Sequence, residues 1–403
     1  MKQRKDYLEK IIQTKDNDFV KVITGVRRSG KSFLLKMYAD YLKKQKISED
    51  HIIEINYEKF EYQNLTKGGE LHKYLSEKII DDDKYYLLMD EVQEIEEWAK
   101  VINSINVSYN VDLYVTGSNS RIFSGEYLTY LSGRYIEIKV YPLSFSEFID
   151  FRGYDKEKPS EIYFNEYLRK GSFPAVALTE NEDLMDSITS GLFDSIFSRD
   201  ILLRGNIHNE GNFYKVAKFV FDNIGNNLSA SSIANTLKSE GHKISVDAID
   251  NYLKQMCNAY ILYQCERYDI RGKERLRTNG KYYVVDLGLR NKMIGYRTGN
   301  LGHVIENLVY IELLRRGYNL SVGKNKDMEI DFIALKGDKK LYMQVSMSVL
   351  DESVEKREFA PFYSIKDNYP KYLVTMDRID MSKDGIIHLN LYDFLMGKEK
   401  SEI

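Results

Sequence analysis

The chain has few of the residues that mark disulfide-rich, zinc-binding or disordered proteins. It holds two cysteines, five prolines and six histidines among 403 residues. Because Cys257 and Cys265 both lie in apolar surroundings, they are predicted to be reduced packing residues rather than a disulfide or a metal pair. The histidines are not spaced along the chain as zinc ligands are, so we expect no structural zinc site. The scarcity of proline and the 32 tyrosines favour half-buried helices and strands over disordered linkers.

Long apolar runs are also missing. No run reaches membrane-spanning length, and the basic start lacks the apolar segment of a secretory signal, so we expect a cytoplasmic protein with no membrane partner. The formal net charge of −3 argues against nonspecific coating of nucleic acid by the entire surface, but it allows a local basic face. A chain of 403 residues is expected to form about two to four domains.

One short segment carries the strongest chemical signal. Residues 25–32, GVRRSGKS, fit the pattern G-x-x-x-x-G-K-[ST] between an apolar run at 19–24 and helix-spaced apolar residues at 33–38. The glycines let backbone N–H groups surround phosphates, Lys31 is expected to reach the outer phosphates, and Ser32 to bind Mg²⁺. The predicted nucleotide-binding residues are Gly25, Arg28, Ser29, Gly30, Lys31 and Ser32.

Two further apolar runs end in polar residues. Residues 85–89 lead into Asp90 and Glu91, which are predicted to hold the Mg²⁺ hydration shell and to act as general base, respectively. Residues 111–116 lead into Gly117, after which Ser118 or Asn119 is expected to contact the γ-phosphate or its water. A phosphate loop followed by such a pair of carboxylates favours hydrolysis of ATP over binding alone.

Arg134 is the candidate arginine finger. It precedes a strand-like run at 136–140, and a guanidinium can neutralise the charge that develops in phosphoryl transfer. An ordinary surface arginine is the alternative. If Arg134 acts on a neighbouring copy, the enzyme must form a homo-oligomer, whereas a role within its own chain requires only a monomer. Three arginines remain open for a second sensor position: Arg169, Arg199 and Arg204.

These motifs together resemble one family. Residues 25–32, 90–91, 116–118 and 133–134, followed by PLSFSEF at 142–148, resemble the AAA+ ATPases of prokaryotes that carry a C-terminal domain of unknown function. Residues 171–174 and 198–201 resemble the helical region of that family, and 281–290 the opening of its C-terminal domain. The resemblance covers nearly the whole chain and implies an ATPase that uses ATP and Mg²⁺. It does not name a cellular task.

A helix-turn-helix is predicted between 227 and 256. A capped helix at 227–237 and a short Gly-containing turn precede a second helix that starts after Ser245. A strand-like run at 259–265 and a basic run at 267–277 are expected to form a wing against duplex DNA. The predicted DNA contacts are Asn251, Gln255, Arg271, Lys273, Arg275 and Arg277. Asp247 and Asp250 oppose DNA binding, and such folds also serve as protein-contact or spacer modules.

The C-terminal region has a second set of carboxylates. Glu306 on a helix, Asp331 on a strand and Gln344 on the next strand resemble the metal ligands of the restriction-endonuclease-like PD-(D/E)XK superfamily. Ser346 stands where that superfamily has a lysine, so cleavage is expected only if Lys324, Lys326 or Lys336 takes over its role. We therefore predict a degenerate nuclease fold that binds nucleic acid or a protein partner.

The predicted fold class is α/β. The segments are an AAA+ P-loop core with a parallel sheet at 1–150, a helical lid at 151–205, a winged helix-turn-helix at 206–279 and a restriction-endonuclease-like domain at 280–403. Three functions remain open: an ATPase coupled to DNA binding or remodelling, a nucleotide-dependent switch that acts on a protein partner, and an ATP-gated nuclease.

Overall fold

The computed structural model describes residues 2–120, 131, 133–156, 161–272, 274–297, 299–325 and 328–398, with the backbone alone for 274–279. Contacts divide the chain into two compact units. The first comprises Met1–Pro142 with Asn258–Tyr260, and the second comprises Leu143–Cys257 with Ile261–Ile403. In the described part of the chain, no helix is both long and apolar enough to span a bilayer.

The first unit is built on a parallel sheet, as predicted. Its five strands in the described residues have the order β2-β3-β4-β1-β5. Every pairing is parallel, so all carboxyl ends meet at one edge. The strands are β1 (Val20–Thr24), β2 (Ile52–Asn56), β3 (Tyr85–Asp90), β4 (Val111–Gly117) and β5 (Tyr135–Lys139).

Helices cover both faces of this sheet. Val22 belongs to the core on one face and Ile23 to the core on the other, as the alternation of side chains along a strand requires. Within residues 2–120, the α-helices are α1 (Lys5–Gln13), α2 (Lys31–Lys44), α3 (Gly68–Lys78) and α4 (Trp98–Ser108), and short 3₁₀ turns span Glu49–His51, Phe60–Thr66 and Val92–Glu94.

The second unit begins with helices. Ser144 and Glu147 form a capping box that starts the first of them, and Pro174 occupies the first turn of the third. The elements are α5 (Phe145–Arg152), α6 (Glu161–Lys170), α7 (Pro174–Ala177), α8 (Glu182–Asp194), a π-helix (Ser195–Leu203) and α9 (Glu210–Asp222).

An eight-stranded mixed sheet follows, in the order β13-β12-β11-β10-β9-β7-β8-β6. Its strands are β6 (Asn227–Leu228), β7 (Leu262–Asp269), β8 (Glu274–Val284), β9 (Asn319–Asn325), β10 (Met328–Lys336), β11 (Lys339–Val345), β12 (Lys371–Thr375) and β13 (Ile386–Asn390). Its helices are α10 (Ala230–Ser239), α11 (Val246–Asn258), α12 (Leu287–Ile294), α13 (Leu301–Arg315), α14 (Glu352–Tyr363) and α15 (Leu391–Met396).

Helices α10 and α11 and the β7–β8 hairpin follow the order expected for a winged helix. The first helix starts later than predicted, because Asn227 and Leu228 pair with β8 and Ser229 forms the capping box of α10. Strand β7 also pairs in parallel with β9, so the hairpin continues the C-terminal sheet. Strand β8 runs across the expected boundary between 279 and 280, and the four-segment division stays a prediction.

Candidate functional site

The loop between β1 and α2 has the backbone geometry of a phosphate cradle. Gly25 and Gly30 have φ angles of +136° and +104°, and Arg28 is left-handed at +64°. A Cβ atom at position 25 would lie 2.0 Å from the carbonyl oxygen of Val140, so only glycine fits. Lys31 Nζ donates to the carbonyl oxygens of Gly25 and Val26, at 3.0 and 3.1 Å.

A buried arginine far away in the sequence supports this loop. Arg4 Nη1 donates to the carbonyl oxygens of Ser29, at 2.9 Å, and Tyr141, at 2.7 Å. The guanidinium carbon also lies 4.4 Å from the centre of the Tyr7 ring. Sequence reasoning missed Arg4, since no local motif marks a residue that acts through partners so distant along the chain.

The ends of β3 and β4 are joined by a threonine. Thr116 Oγ1 donates to Asp90 Oδ1 at 2.5 Å and accepts a hydrogen bond from the Glu91 N–H at 2.9 Å. Asn56 Nδ2 donates to the other oxygen, Asp90 Oδ2, at 3.0 Å. Burial raises the pKa of Asp90, although hydrogen bonds from Thr116 and Ser32 oppose that rise. Asp90 is therefore held rigidly and lies next to the Ser32 hydroxyl.

Glu91 is buried and left-handed, with φ +59° and 6% of its surface exposed. Ser118 Oγ donates to Glu91 Oε2 at 3.0 Å, and Gln93 Nε2 donates to the same oxygen. Burial alone would raise the pKa of Glu91, but the nearby charges of Lys31 and Arg27 and these hydrogen bonds outweigh it, so the pKa is lowered. A charged Glu91 is the form that can accept a proton. Asn119 is also buried, at 4% exposure.

The donor set at this edge fits a nucleotide with Mg²⁺. Ser32 and Asp90 offer the hard oxygen ligands that Mg²⁺ prefers, and both line a cleft of about 450 Å³. Ser29 Oγ is fully buried and has no hydrogen-bond partner within the described residues. That hydroxyl remains available to a phosphate oxygen or a water molecule.

Arg134 lies at the opposite edge of the same sheet. Its carbonyl oxygen accepts a hydrogen bond from the N–H of Val20, the first residue of β1, and its side chain is exposed. The phosphate loop follows Thr24 at the other end of β1, about 16 Å away at 3.3 Å per strand residue. An arginine side chain is too short to span that distance, so the geometry favours a role of Arg134 on a neighbouring copy over a role within its own chain, and both stay predictions.

The C-terminal ligand candidates lie close together, around a lysine that the sequence analysis did not single out. Glu306, Asp331 and Gln344 line a cleft of about 430 Å³ together with Lys281 of β8 and Glu329. Burial and the charge of Asp331 raise the pKa of Glu306 to about 7. Burial would lower the pKa of Lys281, but the surrounding carboxylates outweigh it and raise the pKa well above its usual range.

The lysines expected to replace the one missing at Ser346 lie elsewhere. Lys336 Nζ donates to the carbonyl oxygen of Arg316, and Lys324 is the register partner of Glu329 in the pairing of β9 with β10. Neither side chain lines the cleft, and Lys326 lies outside the described residues. Lys281 was missed because it belongs to the strand before the predicted motif.

The predicted DNA contacts are only partly described. Gln255 is 7% exposed and donates to Asn251 Oδ1 at 2.9 Å, so it is not presented to base edges, contrary to the prediction. Asn251 and Arg271 are exposed. Lys273 and the side chains of Arg275 and Arg277 lie outside the described residues. The three second-sensor candidates, Arg169, Arg199 and Arg204, all belong to the second unit.

Sequence comparisons agree with the P-loop geometry. A profile described as an AAA domain matches residues 17–149, and one described as a domain of unknown function (DUF8612) matches residues 161–299. An uncharacterized protein of Haemophilus influenzae is 43% identical over 399 residues, which cover 98% of this chain and 99% of that protein. An uncharacterized protein of Methanocaldococcus jannaschii is 32% identical over 361 residues, covering 86% of this chain and 79% of that protein.

Two solved structures show weaker likeness. The Walker-type ATPase of Pyrococcus abyssi has a TM-score of 0.44 and 15% identity, covering 73% of this chain and 96% of that chain. The RuvB Holliday junction branch migration motor of Thermotoga maritima has a TM-score of 0.35 and 12% identity, covering 65% of this chain and 89% of that one. The chain therefore belongs to the same family as the Haemophilus protein, and its residues 17–149 form an AAA-type P-loop domain.

Proposed function

We propose that the chain binds ATP with Mg²⁺ and hydrolyses it to ADP and phosphate. The observation that carries the proposal is the convergence of Lys31, Ser32, Asp90 and Glu91 at the carboxyl edge of one parallel sheet. Lys31 holds the outer phosphates, and Glu91, oriented by Ser118, accepts a proton from the attacking water. Bound Mg²⁺ would neutralise charge on the phosphate oxygens from the side of Ser32 and Asp90.

Phosphate release from purified protein tests this proposal. We expect turnover of ATP that requires Mg²⁺ and disappears in Lys31→Ala together with nucleotide binding. The matched control is Lys44→Ala, an exposed lysine in the last turn of α2 that does not line this cleft, which should turn over normally. Release of phosphate from ATP that persists at the native rate in Lys31→Ala would come from a contaminant and leave the proposed site without activity.

The second candidate function concerns what hydrolysis drives. Coupling to duplex DNA is favoured by two features: the β7–β8 hairpin directly follows the helices α10 and α11, and Arg271 is exposed. On α11, however, Asp247 and Asp250 are exposed and Gln255 is buried, which favours a nucleotide-dependent switch that acts on a protein partner. Turnover measured with and without duplex DNA separates the two. Stimulation that Arg271→Ala reduces would support DNA coupling, and turnover indifferent to DNA would support the switch.

A further inference from the structure

Three carboxylates of the second unit surround one ammonium group. Lys281 Nζ lies 2.8 Å from Glu306 Oε1, 3.0 Å from Glu329 Oε1 and 3.2 Å from Asp331 Oδ1. An ammonium has three N–H donors, so these three acceptors satisfy it. The lysine side chain is only 5% exposed, and its contacts join β8 to α13 and β10.

The expected metal ligands also have other hydrogen-bond partners. Tyr283 Oη donates to Glu306 Oε1 at 2.6 Å, and the Val345 N–H donates to Asp331 Oδ2 at 3.0 Å. Gln344 Oε1 accepts a hydrogen bond from the Asp331 N–H at 3.2 Å. Its amide nitrogen donates to Glu358 Oε2 at 3.0 Å, which fixes the orientation of the amide. Glu306 Oε1, both carboxylate oxygens of Asp331 and Gln344 Oε1 thus accept hydrogen bonds within the protein.

A divalent cation does not fit this arrangement. Mg²⁺ lies about 2.1 Å from its oxygen ligands, so an ion bound to Glu306 and Asp331 would occupy the space next to the Lys281 ammonium. The two positive charges would repel one another strongly in a buried site. Moving Lys281 away instead would leave a buried charge without its carboxylates, which is strongly unfavourable.

We propose that the Lys281 ammonium is the resident cation of this cleft and that the native chain holds no divalent cation there. The lysine neutralises part of the carboxylate charge and connects a strand, a helix and a second strand. The eight-stranded sheet and its helices then form a binding or structural module that does not cleave nucleic acid through a metal at Glu306 and Asp331.

The opposing interpretation gives Lys281 the role of the lysine missing at Ser346. In that case the ammonium would assist a metal-bound water, and the carboxylates would bind the metal in the native protein. The two interpretations predict opposite results for metal binding, which can be measured without any assay of activity.

The test is Mn²⁺ binding to the full chain, counted from the electron paramagnetic resonance signal of the free ion. All proteins carry Asp90→Asn, which removes a metal ligand of the nucleotide site. With Lys281 intact, we expect no Mn²⁺ site that depends on Asp331. Adding Lys281→Met should create one site per chain, and further adding Asp331→Asn should remove it.

An Asp331-dependent Mn²⁺ site in the protein with Lys281 intact would overturn the proposal, as would Mn²⁺-dependent DNA cleavage that Asp331→Asn abolishes. A folded Lys281→Met protein that gains no site would also contradict it, because removal of the ammonium would then not free the ligands. If Lys281→Met fails to fold, the comparison of Asp90→Asn with Asp90→Asn/Asp331→Asn decides alone.

Discussion

Thr116 and Asp90 are joined by a hydrogen bond of 2.5 Å, and the same threonine oxygen accepts the N–H of Glu91. One hydroxyl thus fixes both carboxylate-bearing residues against β4. Because Asp90 is a predicted metal ligand, its position determines where the metal lies relative to the phosphates.

Thr116→Val keeps the shape of the side chain but removes the hydroxyl. We expect ATP turnover to fall about 10- to 100-fold, the usual cost of losing a partner that orients a metal ligand. Thr116→Ser retains the hydroxyl and should turn over nearly as fast as the native chain. Equal rates in a folded Thr116→Val protein, with unchanged Mg²⁺ dependence, would show that this hydrogen bond does not matter for turnover.

Arg4 is expected to act on nucleotide affinity. Arg4→Met keeps an apolar stem near Tyr7 but loses the hydrogen bonds to the carbonyl oxygens of Ser29 and Tyr141. Weaker support for the phosphate loop should raise the Kd for ATP about tenfold, since bonds from charged donors contribute about 1.5–3 kcal/mol. Arg4→Lys keeps the positive charge without the planar guanidinium, so its Kd for ATP should lie between those of the native chain and Arg4→Met. Calorimetric titration with ATP measures the effect, and an unchanged Kd in folded Arg4→Met would contradict it.

If Arg134 is an arginine finger, it acts on a neighbouring copy. Arg134→Ala should lower turnover about 10³-fold, the lower end of the range for such fingers. Mixing it with Glu91→Gln should restore activity, because some sites then combine an intact Glu91 with an intact Arg134. The control mixture of Glu91→Gln with Lys31→Ala should regain much less ATP turnover than the mixture that contains Arg134→Ala. A mixture no more active than the average of its two components would show that Arg134 is an ordinary surface arginine.

Glu306 makes the stability of the protein depend on pH. Its pKa is raised from 4.5 to about 7 in the folded chain, so the unfolded chain loses this proton first as the pH rises. The contribution of Glu306 to the free energy of unfolding therefore falls between pH 4.5 and 7 and is constant above that range.

Glu306→Gln resembles the protonated form at every pH. Its thermal midpoint relative to the native chain should therefore rise from pH 5 to pH 8, measured in matched buffers. If the thermal midpoints of the two proteins change with pH in parallel, Glu306 keeps an ordinary pKa in the folded state.

Contiguous patterns allowed the nucleotide site to be predicted. Gly25, Lys31 and Ser32 belong to one loop, and Asp90 follows directly from an apolar strand, so the strand and helix pattern brings them to one sheet edge. Their neighbours were harder to foresee. Arg4 contacts Tyr141 across 137 positions, and no periodicity or spacing connects residues so far apart.

The C-terminal cluster shows the same limit. Glu306 and Asp331 were expected to lie close together, because both belong to the metal-ligand pattern of the PD-(D/E)XK superfamily that the sequence resembles. Lys281 joins Glu306 and Asp331 from 25 and 50 positions away, and only the pairing of β8 within the larger sheet brings it there. The burial of Gln255 likewise depends on packing against Gly205, which helical periodicity alone does not reveal.

The central claim is that Glu91 activates water for the hydrolysis of bound ATP. The most direct measurement compares ATP binding and phosphate release in the native chain and in Glu91→Gln. We expect the variant to bind ATP with Mg²⁺ as tightly as the native chain and to release phosphate at least about 10²-fold more slowly, the loss typical of a missing general base. Equal rates of phosphate release in the two proteins would contradict the account.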